Sequence, residues 1–81
     1  MNIYVGNLSP GTSEWQVRKA FDRFGKVDKI SISGRLSEND EYGFCFVHMP
    51  FDNQASRAIR ELNGKALGGH VLTVRESGTT P

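Results

Sequence analysis

A fold of the α+β class, β-α-β-β-α-β in chain order, is predicted for this sequence by three observations. Four short runs alternate apolar and polar residues with the period of a strand. Two longer segments repeat apolar residues at helical spacing. These elements follow one another in two similar halves, separated by glycine, proline or polar stretches. Such an order closes into one four-stranded antiparallel sheet with both helices on one face, the ferredoxin-like split βαβ arrangement.

The first run, Asn2 to Gly6, sets Ile3 and Val5 on one face and Tyr4 on the other, and Ser9-Pro10-Gly11 breaks it. Ser13 and Gln16 have the spacing of a capping box. Val17, Ala20, Phe21 and Phe24 then form the inner stripe of a helix that Gly25 ends. Ile30 and Ile32 alternate with Lys29, Ser31 and Ser33 as a second strand, and Gly34 to Glu41, polar and without period, reads as a mobile loop. Tyr42 to Met49 is the most β-prone run, and Pro50 stops it. Asp52 is placed to cap a second helix whose inner face is Ala55, Ala58, Ile59 and Leu62, with Asn63-Gly64 closing it. Leu67 begins a short extended piece, Gly68-Gly69 turns, and Val71 to Arg75 is the last strand, with Leu72 and Val74 inward. The domain is therefore expected over residues 1–76, and residues 77–81, with nothing to bury, form a flexible tail.

Composition narrows the function classes. With 81 residues, 37% of them hydrophobic and 23% charged, the chain suits one soluble domain with a modest core, expected as a monomer. No apolar run approaches the roughly 20 residues of a membrane span. Neither a basic leader nor an apolar signal core precedes Ile3-Tyr4-Val5. Cys45 is the single cysteine, which excludes an internal disulfide, argues against a cysteine-based zinc site and favours a reducing, cytoplasmic setting. Ten basic and nine acidic residues leave a net charge of only +1. A nucleic-acid ligand would thus have to be held by stacking and local charge placement more than by bulk attraction.

Strand parity then points to a site. In the third strand Cys45, Val47 and Met49 share one face and suit a core, which leaves Tyr42, Phe44, Phe46 and His48 on the other. Tyr4 faces the same way from the first strand. Both helices belong to the opposite side of the sheet, so these aromatics stand on a surface that antiparallel sheets ordinarily fill with polar groups. A cluster of large apolar side chains exposed in this way marks a binding site.

On these residues the sequence resembles the RNA-recognition motif family. Ile3-Tyr4-Val5-Gly6-Asn7-Leu8 is similar to its six-residue RNP2 motif throughout. Tyr42-Gly43-Phe44-Cys45-Phe46-Val47-His48-Met49 resembles its eight-residue RNP1 motif, matching at Gly43, Phe44, Phe46 and Val47. Ala58-Ile59, Leu62-Asn63-Gly64 and Leu72-Thr73-Val74 fit the same pattern, so the likeness covers roughly residues 2 to 76. The resemblance implies that Tyr4 and Phe44 each stack on a base of single-stranded RNA and that Phe46 packs against the sugars between them. Single-stranded DNA offers the same π-faces, and a broad, weak sequence preference follows. The sequence departs from the family at Tyr42, where a Lys or Arg usually meets phosphate; with Asp40-Glu41 beside it, Tyr42 is either a further stacking surface or a corner closed to RNA. The short lead into the first strand and the single-domain span resemble the stand-alone bacterial members of the family, the alternative being a domain cut from a larger eukaryotic protein.

Polar candidates surround the aromatics. Asn2, Lys29 and Arg75 fall on open-face parity and Arg35 lies in the long loop, all within reach of phosphates or base edges; Ser31 and Thr73 share that face. Arg18, Lys19, Arg23, Arg57 and Arg60 lie on the helices, where their expected role is solubility. Trp15 sits nearly opposite Val17, Phe21 and Phe24 on the first helix and should be exposed beside Arg18, Lys19 and Asp22. It is either folded over the Pro10 loop or an anchor for a protein partner, and the latter makes a protein-interaction module on the same fold the alternative function. No nucleophile elbow, phosphate loop or carboxylate pair stands in the sequence. Asn7-Leu8-Ser9-Pro10 occupies the place where acylphosphatases, which share this plan, carry a glycine-rich loop with a catalytic Arg. No catalysis, cofactor or metal is expected, and His48 and His70 fall on strands too far apart to share an ion.

Overall fold

The capping box predicted at Ser13 forms: the Gln16 amide donates to Ser13 Oγ at 3.3 Å, and the Ser13 amide donates to Gln16 Oε1 at 2.9 Å. The helix it opens is α1 (Glu14–Asp22) in a computed structural model that describes residues 1–9, 11–33 and 43–77. Before it runs β1 (Asn2–Leu8). After it come β2 (Lys29–Ser33), β3 (Gly43–His48) and α2 (Asp52–Leu62), followed by β4 (Ala66–Leu67), β5 (His70–Val71) and β6 (Thr73–Glu76). The expected loop over 34–41 and Tyr42 lie outside the described residues, as do the side chains of Ile32 and Ser33 and positions 78–81.

Four strands form one sheet in the order β2-β3-β1-β6 with every neighbour antiparallel, and β4 and β5 pair separately as a small hairpin. This is the ferredoxin-like arrangement that the sequence predicts. Ile3, Val5, Cys45, Val47 and Val74 project from one sheet face and are buried under Val17 and Phe21 of α1 and Ala55, Ala58 and Leu62 of α2. Ala20, Phe24 and Ile59, expected in the same stripes, are only partly buried. Cys45 sits deep in this core, and burial pushes its thiol up to about 12. A thiol so raised is a poor nucleophile.

Two expectations are corrected. Asp52 does not cap α2. It occupies the first turn, where its charge favours the helix's positive end, and the cap position falls to Phe51, whose side chain cannot accept a hydrogen bond. The last strand is also split. Asn7 Nδ2 donates to the Val71 carbonyl at 2.6 Å, and Leu72 exchanges backbone hydrogen bonds with Gly64 and Lys65, so neither residue is free to pair with β1. Ladder pairing with β1 begins only at Thr73, opposite Gly6. The sheet-ward turn of this segment is anchored by Asn63, whose Oδ1 accepts the Val74 amide at 2.9 Å and ties the end of α2 to β6. Beyond β6, the Ser77 amide donates to the Asn2 carbonyl at 2.8 Å.

Gly25 closes the turn after α1 with φ +152, a conformation essentially reserved for glycine. It also lies against Gln54 of α2, whose Oε1 accepts the Lys26 amide at 2.9 Å; a Cβ at position 25 would overlap that side chain. Gly25→Ala is therefore expected to lower the unfolding free energy by about 1–3 kcal/mol, read from urea denaturation with an unchanged m-value.

Candidate functional site

Which side chains share the open face follows from the cross-strand register. Directly opposed residues of antiparallel strands lie on the same side of a sheet. One row across the sheet is Ser31, Phe46, Tyr4 and Arg75. A second row holds Phe44, Gly6 and Thr73, and a third Lys29, His48 and Asn2. The face that carries Ile3, Val5 and Val47 is filled by the helices, so the rows carry the rings away from the core.

Tyr4, Phe44 and Phe46 form a triangle in which each pair of ring centroids is 5.9 Å apart. Tyr4 and Phe44 lie within 27° of parallel, while Phe46 stands edge-on to both, at 65° and 85°. These are favourable aromatic geometries that leave ring faces available above the sheet. The expected triad is thus brought together by its two central strands.

Two residues that parity alone did not single out set this geometry. Gly6 lies beneath the Tyr4 ring: a Cβ there would stand 2.6 Å from Tyr4 Oη and 2.7 Å from Cε2. The ring can lie back along β1 only because position 6 has no side chain. Asn7, next in the chain, adopts φ +64 and forms a bulge, so that the register steps from Gly6–Phe44 to Leu8–Gly43. Asn is among the few residues that tolerate this backbone conformation, and the bulge ends regular pairing beside the rings. The RNP2-like run contained both residues, but the signal in the sequence was the motif and not the geometry.

The polar candidates divide. Arg75 is placed beside the triad, its Cζ 4.7 Å from the Tyr4 centroid, a cation–π contact that covers part of that ring. Lys29 and Asn2 share the third row with His48, Lys29 well exposed and Asn2 half-buried. His48 was not among the expected site residues, although parity put it on the same face as Phe44 and Phe46. Its Nδ1 lies 3.2 Å from Asp28 Oδ2, which sets a carboxylate at this edge of the face. Tyr42 and Arg35 lie outside the described residues. Among the described residues no group of His, Cys, Asp or Glu is arranged to hold a metal ion, and no buried side-chain polar atom lacks a partner. The arrangement offers flat π surfaces flanked by a few cations, which is the chemistry of stacking.

A model of the RNA recognition motif matches residues 3–73. The glycine-rich RNA-binding protein 4, mitochondrial, of Arabidopsis thaliana is 33% identical over 72 residues, which are 89% of this chain and 53% of that protein. Probable RNA-binding protein 18 of Danio rerio is 36% identical over 77 residues, 90% of this chain and 40% of the relative. The chain therefore spans about half the length of these curated relatives or less. They are eukaryotic, and the expectation of a stand-alone bacterial member draws no support from them. The crystal structure of RNA Binding Protein PG1 superposes with a TM-score of 0.85 at 34% identity, covering 100% of this chain and 98% of that one.

The Gly6 slot makes a structural prediction. Gly6→Ala should drive the Tyr4 ring off β1, because the atoms in the way belong to the movable end of that side chain and not to backbone. The expected result is loss of the Tyr4–Phe44 ring contacts in nuclear Overhauser spectra, with global stability changed by no more than about 1 kcal/mol.

Proposed function

The chain belongs to the RNA recognition motif family, and from that premise we propose that its open sheet holds a single strand of RNA without catalysing any change in it. The observation that carries this reading is the Tyr4, Phe44 and Phe46 triangle on the side of the sheet away from the helices. Bases stack on Tyr4 and Phe44, and Phe46 packs against the intervening sugar. A π-face is common to every base, so the preference among sequences is broad and single-stranded DNA is a weaker second ligand. One copy of the chain presents the whole triangle, and binding as a monomer is sufficient.

Arg75 gives the binding step its order. In the free protein its guanidinium occupies part of the Tyr4 face. An entering base takes over that face, and the displaced guanidinium is then free to meet a phosphate. One favourable contact is exchanged for two, at the cost of ordering a flexible strand. Lys29 serves the neighbouring phosphate from the other edge, and His48 and Asn2 present hydrogen-bonding groups between them. With two or three stacks offset by ordering costs, the dissociation constant is expected in the range of roughly 10–100 μM.

An amide chemical-shift titration with short RNA pools tests the reading: shifts should concentrate on β1 and β3 and spare the outer faces of α1 and α2. Tyr4→Ala, Phe44→Ala and Phe46→Ala should each weaken binding by about 1–3 kcal/mol with the fold intact. Wild-type affinity in all of them would defeat the stacking mechanism.

Salt dependence provides a second, independent measurement. Contacts from Lys29 and Arg75 alone should give a log–log slope of about −1.4, at about −0.7 per phosphate on a single strand, and a slope near about −2 would add Arg35. Arg75→Ala should flatten the slope by about 0.7.

A further inference from the structure

On the helix side of the molecule, remote from the aromatic triangle, α1, the end of α2 and the β4–β5 hairpin enclose an open groove of about 590 Å³. Its floor is apolar: Phe24 and Leu67 are partly buried there against the core residues Leu62 and Leu72. Its rim is charged and uneven in sign, with Lys19, Arg23 and Lys65 set against the single carboxylate of Glu61. Three cations against one anion make this groove more basic than the chain as a whole, whose net charge is +1. At the groove's edge stands Trp15, 65% exposed, with Lys19 Nζ 4.9 Å from its ring centroid. The indole packs against a lysine on its own helix and remains open to solvent over most of its surface.

We infer that this groove docks an acidic peptide segment of a partner protein, with apolar side chains on the Phe24–Leu67 floor and carboxylates paired to Lys19, Arg23 and Lys65. The apolar floor suits aliphatic or aromatic side chains, and the cationic rim selects flanking Asp or Glu. A nucleic acid fits less well. Phosphates could meet the rim, but the floor is largely aliphatic, with Leu62, Leu67 and Leu72 beside the single ring of Phe24, and lacks the set of ring faces that the sheet offers to bases. A second copy of this chain, with a net charge of +1, matches the cationic groove less well than an acidic segment does. The site is separate from the sheet, so the domain can hold a strand of RNA and a protein at once.

Trp15 is the only tryptophan and reports directly on the groove. The probe is a blocked synthetic peptide alternating Leu or Phe with Glu, compared with a control in which Ser replaces every Glu. The acidic peptide should give a saturable blue shift of Trp15 emission, and the control should bind at least about tenfold more weakly. Lys19→Glu combined with Lys65→Glu should weaken the acidic peptide at least about tenfold while RNA affinity at the sheet is unchanged. Glu61→Lys should tighten it, which guards against a loss that comes only from misfolding. The inference fails if no saturable shift is reached at millimolar peptide, or if the control and the charge-reversed variant bind as well as the originals. Trp15 emission that changes with protein concentration alone would assign the groove to a second copy. A shift caused by RNA and abolished by the charge reversals would assign it to nucleic acid.

Discussion

β1 and β3 are the two inner strands of the sheet, and their antiparallel register binds everything else to a single choice. Ile3 opposes Val47 and Val5 opposes Cys45, and both pairs must lie beneath the helices, because nothing else in so short a chain could form the core. With those pairs fixed, Tyr4, Phe44 and Phe46 have no alternative to the outer face. A slip of one residue would bury three rings under α1 and α2 and expose the aliphatic set, a change far too costly to compete. Core and site are therefore specified by the same pairing. The apolar surface left outside is the complement of the packing inside.

This coupling explains how much could be read without coordinates. Strand alternation and the helical stripes at Val17–Phe21 and Ala55–Leu62 carried the fold, because each is a local pattern that burial then confirms. The triangle was legible for the same reason: parity is arithmetic once the core face is known. What escaped the reading depends on contacts distant in sequence. Asp52 has the chemistry of a cap, but the chain enters α2 one residue earlier, through Phe51. The interruption at Leu72 arises because Gly64, Lys65 and Asn7 claim backbone groups that the pattern of Val71 to Arg75 assigns to a strand. Gly6 and Asn7 belong to a recognised run, yet their roles under Tyr4 and at the bulge follow from ring placement and a positive φ that no spacing rule encodes.

Charge is distributed differently on the two sides of the molecule. On the sheet, the cations of Lys29 and Arg75 are few and Asp28 stands near His48 at one edge, leaving ring faces as the main attraction. On the helix side the cations of Lys19, Arg23 and Lys65 outnumber Glu61 around an apolar floor. A nearly neutral chain can thus hold two surfaces of unlike character. Long-range attraction to polyanions would be modest, and discrimination would rest on short-range fit.

The hydrogen bond from the Ser77 amide to the Asn2 carbonyl brings the beginning and the end of the described fold to one corner of the sheet. Polypeptide flanking this unit would enter and leave near the same point, as the two leads of a plug do. The unit could be spliced into a longer chain, or repeated along one, with little strain on the interior. That corner adjoins the row of Lys29, His48 and Asn2. A flanking segment would consequently begin its path at the rim of the aromatic face, within reach of whatever lies there.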